Sequence, residues 1–297
     1  MEEKQSSQLI NLPEHIDKQV FQLLLDRDSQ SQMSKQKNVK INNKKVEDRE
    51  FFTPISQKTL EDIKNNFSKY EKLCILYTQG AYNPIHKGHI NMIKTAKEYL
   101  EENFNYKVIH AYVSPAPQTH INKKFAINEN ENQLILDIKE RVKFAEITIK
   151  NMQLSDLITV DTWEANQGKV SHLDVWSSMQ EFVEKQLEIN QIQAKNVEVF
   201  WITGMDKIGN SKHSVDKARK QLNYKGKQYF LPVLIKQRPE MYMNSAQKML
   251  QREVKEMKKQ QQKDEKIFLL NDKGNYSSTE FRNLLIQYKI DKVETQE

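Results

Sequence analysis

The chain is poor in cysteine, glycine and long apolar runs. One cysteine in 297 residues cannot form an intrachain disulfide, so we expect Cys74 to be a buried apolar residue in a reducing compartment rather than a metal ligand. No apolar run approaches the roughly 20 residues that cross a bilayer. The start, MEEKQ, has neither the basic character of a signal peptide nor the acid-poor character of a transit peptide. We therefore expect a cytoplasmic or nuclear protein that does not bind membranes.

The charge balance excludes little but favours an anionic ligand. Lys and Arg number 46 against 40 Asp and Glu, which gives a net charge of +6 and an isoelectric point near 9.0. The excess is spread along the chain rather than gathered into a basic block. This pattern suits a nucleotide substrate, and we do not expect a nucleic-acid partner.

Residues 1–70 differ in pattern from residues 71–297, and we treat them as an N-terminal extension. Helical spacing of apolar residues predicts one amphipathic helix over Pro13–Asp26 and a second from Thr59, with Thr59 and Asp62 as its capping pair. The polar stretch between them, about residues 28–50, is typical of a linker. The extension is either a dispensable tail or a docking segment that binds this domain or a protein partner.

From residue 71 onward, predicted strands and helices alternate, which indicates an α/β fold with a parallel sheet and helices on both faces. The expected strands are Leu73–Thr78, Lys107–Val113, Leu157–Asp161, Val197–Thr203, Tyr229–Ile235 and Ile267–Leu270. The expected helices are Ile90–Glu102, Leu134–Met152, Leu173–Ile189, Val215–Leu222, Ser245–Gln262 and Ser278–Gln287. Right-handed crossovers place the carboxyl ends of such strands, and their ligand-binding loops, along one edge of the sheet.

The loop after the first predicted strand has the sequence GAYNPIHKGH, residues 80–89. Gly80 and Gly88 allow close approach of the backbone to a polyanion, since neither carries a Cβ atom. His86 and His89 lie three residues apart at a predicted helix start, so their side chains can converge. Free N–H groups at that helix start favour an anion, and the loop therefore predicts a phosphate site.

This string resembles the G-x-[FY]-[DN]-P-x-H-x-G-H signature of the HxGH nucleotidyltransferases. Within that superfamily, Asn83-Pro84 is similar to the nicotinamide and nicotinic acid mononucleotide adenylyltransferases. The resemblance covers about residues 73–288 and implies a Rossmann-like HxGH nucleotidyltransferase fold. It also implies that His86 and His89 act on the ATP phosphates and that Gly80, Ala81, Tyr82 and Gly88 bind ATP.

Stretches after the later strands resemble other elements of that family in chain order. Ser114-Pro115-Ala116, followed by Lys123-Lys124, implies contacts from these two lysines to the mononucleotide phosphate. Val160-Asp161-Thr162-Trp163-Glu164 implies stacking of Trp163 on the pyridine ring and hydrogen bonds to Glu164, although Asp161 could instead cap the next turn.

Two further stretches resemble the family's ATP-binding elements. Gly204-Met205-Asp206 is similar to a glycine–aspartate element in which Gly204 lets the nucleotide lie close and Asp206 accepts from the ribose hydroxyls. Tyr276-Ser277-Ser278-Thr279-Glu280-Phe281-Arg282 is similar to the family's I-S-S-T-x-[IL]-R element. The match implies a triphosphate clamp of Ser277, Ser278 and Thr279, with Arg282 as a catalytic residue.

The resemblance implies transfer of AMP from ATP to a pyridine mononucleotide, with Mg²⁺ held mainly by ATP phosphates and no metal ligands from the protein. The acceptor is a phosphate whose second pKa is near ~6, so no protein base is required. Another HxGH transferase, of the cytidylyltransferase or phosphopantetheine adenylyltransferase type, and a non-catalytic structural subunit remain alternatives. The sequence also leaves open a homo-oligomer and a protein partner for the N-terminal extension.

Overall fold

The computed structural model describes most of the chain up to residue 204 and selected segments beyond it. The described residues are 12–26, 49–66, 69–70, 72–125, 135–167, 170, 172–192, 197–204, 222–224, 227–229, 233–236, 267–270 and 278–294, with single residues and pairs between 243 and 256.

A parallel sheet of six strands forms the centre of the fold. Its strands are β1 (Lys72–Gly80), β2 (Tyr106–Pro115), β3 (Ile158–Val160), β4 (Val197–Gly204), β7 (Val233–Lys236) and β8 (Ile267–Leu270), and two further strands, β5 (Leu222–Tyr224) and β6 (Lys227–Tyr229), lie outside it. The order across the sheet is β3-β2-β1-β4-β7-β8, and every neighbouring pair is parallel, while β5 and β6 form a separate antiparallel hairpin. The direction of strand progression reverses between β1 and β4, and ligands of such sheets bind at this switch point.

Helices cover both faces of the sheet. They are α1 (Lys18–Asp26), α2 (Gln57–Asn66), α3 (Lys87–Phe104), α4 (Gln118–Phe125), α5 (Ile138–Asn151), α6 (Trp163–Asn166), α7 (His172–Ile189) and α8 (Ser278–Glu294), with a 3-10 turn at Arg49–Phe51. In β1, Leu73, Ile75 and Tyr77 join the apolar core under α7, whereas Cys74 and Leu76 join the core under α3, α5 and α8. This period-two division confirms the predicted α/β class, and Cys74 is buried and free, as expected.

Several predicted boundaries differ from the structure. The helix predicted from Leu134 begins at Ile138, because Asp137 and Glu140 form a capping box at 2.9 Å in each direction. The helix predicted over 215–222 is wrong at Leu222, which begins β5, and residues 215–221 lie outside the described part. Helix α4 and the β5–β6 hairpin were not predicted, since both are short and lack a clear apolar period.

The described parts of the N-terminal extension form two segments that pack on the rest of the chain. In the first segment, residues 12–26, α1 packs against α5 and α8, and Asp17 caps it by accepting from Gln19 N at 3.0 Å. In the second segment, residues 49–66, the predicted Thr59–Asp62 cap is wrong: α2 begins at Gln57, and Ser56 Oγ accepts from Thr59 N at 3.0 Å. The division into domains 1–70 and 71–297 stays a prediction.

Candidate active site

The loop between β1 and α3 lies at the carboxyl end of a central strand. Gly80 ends β1, and its carbonyl accepts from Ala116 N at 2.9 Å. A Cβ atom at position 80 would lie only 2.9 Å from the ring of Tyr82. Because glycine has no Cβ atom, the Tyr82 ring can pack directly against the backbone of Gly80. Tyr82 has a φ of 44° and donates to Thr78 Oγ1 at 3.2 Å. The loop is therefore held by its own side chains.

The structure brings the two predicted catalytic histidines together. The ring centroids of His86 and His89 are 3.8 Å apart, and the ring planes differ by 32°. His86 N donates to His89 Nδ1 at 3.3 Å. Because Nδ1 accepts this bond, a neutral His89 ring carries its proton on Nε2 and is a donor there. Gly88 is buried within the first turn of α3, between the two rings in sequence.

The environment of His86 keeps its imidazole neutral. Its side chain is only 3% exposed, and burial lowers its pKa well below the ordinary value, with further lowering by the nearby charges of His89, His15 and Lys236. At neutral pH, His86 is therefore a neutral hydrogen-bond donor or acceptor rather than a cation.

The start of α8 is bonded directly to the same loop. Ser278 Oγ donates to the carbonyl of Pro84 at 3.0 Å, and Arg282 Nη1 donates to the carbonyl of Asn83 at 3.0 Å. Arg282 Nη2 also donates to Thr279 Oγ1 at 3.1 Å. The predicted triphosphate residues and the histidine loop therefore form one structural unit, although Ser277 lies outside the described residues.

Helix α4 borders this unit on another side. The guanidinium of Arg282 lies 4.8 Å from the centre of the Phe125 ring, at the end of α4. Lys123 and Lys124 immediately precede Phe125, and both side chains are exposed. The sequence pattern predicts no helix at these lysines, but they lie in the last turn of α4. The Lys124 ammonium lies 5.5 Å from the centre of the same Phe125 ring, so Arg282 and Lys124 bring two cationic side chains together, which favours an anionic ligand.

The loop after β3 places Trp163 and Glu164 in the interior. Glu164 is 5% exposed, and its two carboxylate oxygens accept from Gln79 at 3.4 Å and from Ser114 at 3.3 Å. Trp163 is 2% exposed and lies in the core under α7. The open ring face expected of a stacking partner is thus not exposed in this state of the protein, and the contact of Trp163 and Glu164 with a pyridine mononucleotide stays a prediction.

The remaining predicted residues follow β4. Gly204 is the last residue of β4 and pairs with Lys236 of β7. Its position beside the carboxyl end of β1 puts it at the switch point of the sheet. Asp206 lies outside the described residues, so its contact with a ribose stays a prediction.

Two buried arginines, for which the sequence pattern predicts no role, contact loops of the candidate site. Arg141 of α5 is fully buried and donates to the carbonyl of Ala81 at 3.0 Å and to Gln118 Oε1 at 3.4 Å. Burial lowers its pKa to about 10, partly offset by the charges of Asp137 and Glu164, so Arg141 remains a cation at neutral pH. Arg49 of the second N-terminal segment pairs with Asp161 at 2.6 Å. Periodicity gives no signal for such a contact, because it depends on which loops meet.

The fold and the site together define a nucleotidyltransferase. A parallel sheet carries a His-x-Gly-His helix start after its first strand, bonded to a Ser-Thr-x-x-Arg helix start after its last. The Cytidylyltransferase-like family model matches residues 77–284, which is most of the chain, and the chain belongs to that family.

Individual relatives are similar over a shorter stretch. The chain is 30% identical over 104 residues to nicotinamide/nicotinic acid mononucleotide adenylyltransferase 2 of Xenopus tropicalis, and 31% identical over 104 residues to that of Rattus norvegicus. It is 31% identical over 93 residues to nicotinamide/nicotinic acid mononucleotide adenylyltransferase 1 of Bos taurus. These matches cover 35%, 35% and 31% of this chain and 28% of each relative. The chain therefore matches little more than a quarter of the length of these relatives.

Within the described part of the chain, no helix combines the length and apolar character needed to cross a membrane. The same residues contain no group of three His, Cys, Asp or Glu side chains that could hold a metal ion.

Proposed function

We propose that this nucleotidyltransferase transfers AMP from ATP to nicotinamide mononucleotide or nicotinic acid mononucleotide, forming the dinucleotide and pyrophosphate. One observation carries the proposal: Ser278 and Arg282 of α8 are bonded to the carbonyls of the loop that carries His86 and His89. A single nucleotide triphosphate placed along this unit could reach the histidines with its α-phosphate and α8 with its γ-phosphate. The similarity to mononucleotide adenylyltransferases supports the choice of acceptor.

In the proposed reaction, a phosphate oxygen of the mononucleotide attacks the α-phosphorus of ATP. A new P–O bond forms, the bond to the β-phosphate oxygen breaks, and pyrophosphate leaves with the electron pair. The acceptor phosphate is largely dianionic above its second pKa of about 6, so no proton has to be removed from it. The protein's contribution is then to position both phosphates and to stabilise the charge that develops between them.

In this proposal, the residues of the candidate site share that stabilisation. His89 donates through Nε2–H to an α- or β-phosphate oxygen, and neutral His86 lies directly beside it. The helix starts of α3 and α8, with Ser278 and Thr279, offer N–H and O–H donors to the triphosphate. Arg282 adds a guanidinium, and Lys123 and Lys124 of α4 bind the mononucleotide phosphate.

Mg²⁺, when bound with ATP, neutralises part of the phosphate charge. The side chains of His86, His89, Ser278, Thr279 and Arg282 are imidazole, hydroxyl and guanidinium groups, and the carboxylate in the first turn of α8, that of Glu280, pairs with His15. Mg²⁺ prefers carboxylate, phosphate and water oxygens. This donor set fits a metal held mainly by ATP and water.

We also propose a cytoplasmic or nuclear location, in line with the pyridine-nucleotide role.

The test is a product assay with the full chain. It is incubated with Mg²⁺ and either ATP or CTP, and with nicotinamide mononucleotide, nicotinic acid mononucleotide or phosphopantetheine as acceptor, and products are separated by chromatography. We expect dinucleotide and pyrophosphate only from ATP with a pyridine mononucleotide. Product from CTP, or from phosphopantetheine alone, would transfer the assignment to another branch of the family.

A variant pair tests the histidine. His89→Ala removes the donor to the phosphates and should lower kcat by about 10²-fold or more, since a donor of this kind typically contributes that much. Lys94→Ala changes an exposed side chain of the same helix and should stay within about twofold of the wild type, a surface change of the usual small size. Adenylyl transfer by His89→Ala at nearly the wild-type rate would disprove the role of His89.

A further inference from the structure

The turn at residues 49–53 lies directly against the loop between β3 and α6. Arg49 is 5% exposed, and its Nη1 lies 2.6 Å from Asp161 Oδ2. Thr53 Oγ1 donates to the other oxygen of Asp161, also at 2.6 Å. The carbonyl of Phe52 accepts from both the N–H and the hydroxyl of Thr162 at 3.1 Å. The turn therefore satisfies polar groups of the two residues that precede Trp163.

The guanidinium of Arg49 is itself held from the opposite side by α7. Its Nε and Nη2 donate to Ser178 Oγ at 3.0 and 2.8 Å, and Nη2 also donates to the carbonyl of Val175 at 2.9 Å. Burial lowers the pKa of Arg49, but the charge of Asp161 and the hydrogen bond to it outweigh burial and raise the pKa overall, so the group stays charged. A planar cation with several fixed partners has one orientation available to it.

Arg49 also contacts the side chain that the sequence assigns to the pyridine ring. The centre of its guanidinium lies 4.3 Å from the centre of the Trp163 ring, within the range of a cation–π contact. Asp161 Oδ1, which is held by Thr53, accepts from Trp163 N at 3.1 Å. Arg49 and its partner thus constrain both the backbone and the ring of Trp163 at the start of α6.

We propose that Arg49 is a positioning residue for the mononucleotide half of the active site, through which the N-terminal extension holds Trp163 and Glu164 in place. The proposal rests on the proposed function for the identity of the ligand. Arg49 lies before residues 77–284, the part of the chain that matches the family model. The contact that holds Trp163 therefore comes from the N-terminal extension and not from the matched part. Arg49 acts through Asp161 and Trp163 and does not touch the reacting phosphates.

Loss of Arg49 should raise KM for the mononucleotide more than KM for ATP. Apart from Thr53 of its own turn and Tyr77 of β1, the partners of Arg49 lie on the β3–α6 loop, at the start of α6 and on α7. The histidine loop is instead bonded to α8 and to Arg141. Without the cation, the buried carboxylate of Asp161 loses its main partner, and the loop must move to reach water or another donor. A displacement of about 1 Å is enough to change substrate use by an order of magnitude or more.

The experiment measures KM for each substrate in the full chain. Arg49→Met keeps the length of the side chain without its charge, and should raise KM for the mononucleotide about tenfold or more, with KM for ATP within about twofold of the wild type. Arg49→Lys keeps the charge but cannot reach Asp161 and Ser178 together, so we expect an intermediate KM. Thr53→Val removes the bonds of Thr53 Oγ1 to Asp161 Oδ1 and to Arg49 Nη1 but keeps the Arg49–Asp161 pair, and serves as the mildest variant if Arg49→Met does not fold.

Glu50→Gln is the matched control in the same turn. Glu50 pairs with Lys185 at 2.6 Å on the surface, where the two side chains are 36% and 48% exposed. Loss of this exposed pair should leave both KM values within about twofold of the wild type. A rise in mononucleotide KM for Glu50→Gln that equals the rise for Arg49→Met would overturn the special role of Arg49.

Hydrogen exchange provides a readout that does not depend on activity. In Arg49→Met, amides of residues 161–167 should exchange faster, while those of α3 keep wild-type rates. Equal rises in both KM values with faster exchange throughout would show a loss of global stability and overturn the proposal, as would unchanged KM values in a folded variant. If the wild type converts neither pyridine mononucleotide, the proposed function fails, and selective exchange at 161–167 still decides whether Arg49 holds this loop.

Discussion

The first and second N-terminal segments are attached to the same domain by different kinds of interaction. Residues 12–26 bury Ile16, Val20, Phe21 and Leu24 against α5 and α8, on the side of the sheet that carries the histidine helix α3. The second segment, residues 49–66, instead places a buried cation, Arg49, against the Asp161 carboxylate near Trp163, on the α7 side. One segment adjoins the predicted ATP half of the site and the other adjoins the predicted mononucleotide half.

The difference indicates different roles. Burial of one apolar side chain stabilises a fold by about 1.5–3 kcal/mol, and this contribution depends little on the orientation of the side chain. A buried ion pair adds little net stability over an apolar pair, because desolvation offsets the attraction, but its geometry is specific. We therefore expect the first segment to contribute mainly stability and the second mainly the position of one loop.

The first segment does make one polar contact with the histidine helix. The carbonyl of His15 accepts from Lys87 N at 2.9 Å, and His15 Nε2 lies 3.4 Å from Glu280 of α8. Burial lowers the pKa of His15, although the charge of Glu280 opposes this. The contact links the starts of α3 and α8, so any kinetic effect of the first segment should appear in KM for ATP.

The largest expected effect is that of Phe21→Ala in the first segment. Phe21 is 1% exposed and packs against Phe281 and Tyr288 of α8, at 5.7 and 5.4 Å between ring centroids. We expect the free energy of unfolding to fall by about 3–5 kcal/mol, measured by denaturant titration. At a temperature where the variant is folded, KM for the mononucleotide should not change. A larger change in KM for the mononucleotide than in KM for ATP would contradict the separate roles of the two segments.

Acid should weaken the attachment of the second segment. Burial lowers the pKa of His110 to about 4, and its Nδ1 lies 3.4 Å from Thr59 Oγ1 of α2. Between pH 6.5 and 4 the unfolded chain binds a proton that folded His110 does not, so stability falls as the pH falls, by up to about 3 kcal/mol. Denaturant titrations of the wild type and of His110→Gln across this range should show a shallower fall in the variant. Equal slopes would exclude His110 as the cause.

The smallest expected effect comes from the helix caps, which allow a matched comparison. Ser56→Ala removes the cap of α2 in the second segment, and Asp17→Ala removes the cap of α1 in the first. Each should lower the free energy of unfolding by about 1 kcal/mol, measured in the same way. Asp17 also accepts from Asn151 of α5, so its removal should have the larger effect. A much larger loss for Ser56→Ala would show that α2 carries more stability than its packing suggests.

Much of the fold was predictable from local pattern. The continuous apolar run of β1 and the apolar spacing of α1 and α3 are visible in the sequence, because each depends on residues a few positions apart. The convergence of the histidine loop with α8 was expected from strand order, and the bonds from Ser278 and Arg282 to this loop place them together. The exact helix starts were less predictable, as the cap at Ser56 rather than Thr59 shows.

The contacts of Arg49 and Trp163 were not predictable in the same way. Arg49 lies in a stretch that resembles a linker, and its partner Asp161 is 112 residues away. Trp163 was expected to offer a ring face to a ligand, but its 2% exposure reflects packing under α7 and the guanidinium above its ring. No local period encodes such contacts, because they arise only when separate loops meet.

The sequence by itself determined the α/β class, the loop of residues 80–89 and the helix start at residues 278–282, because caps, turns and apolar periods act over a few residues. Only the tertiary structure decided that the N-terminal extension reaches both predicted halves of the site, through His15 at α3 and Arg49 at the β3–α6 loop. The physical reason is that a buried polar contact forms only where folding brings both partners out of water at the same point, which spacing along the chain does not record.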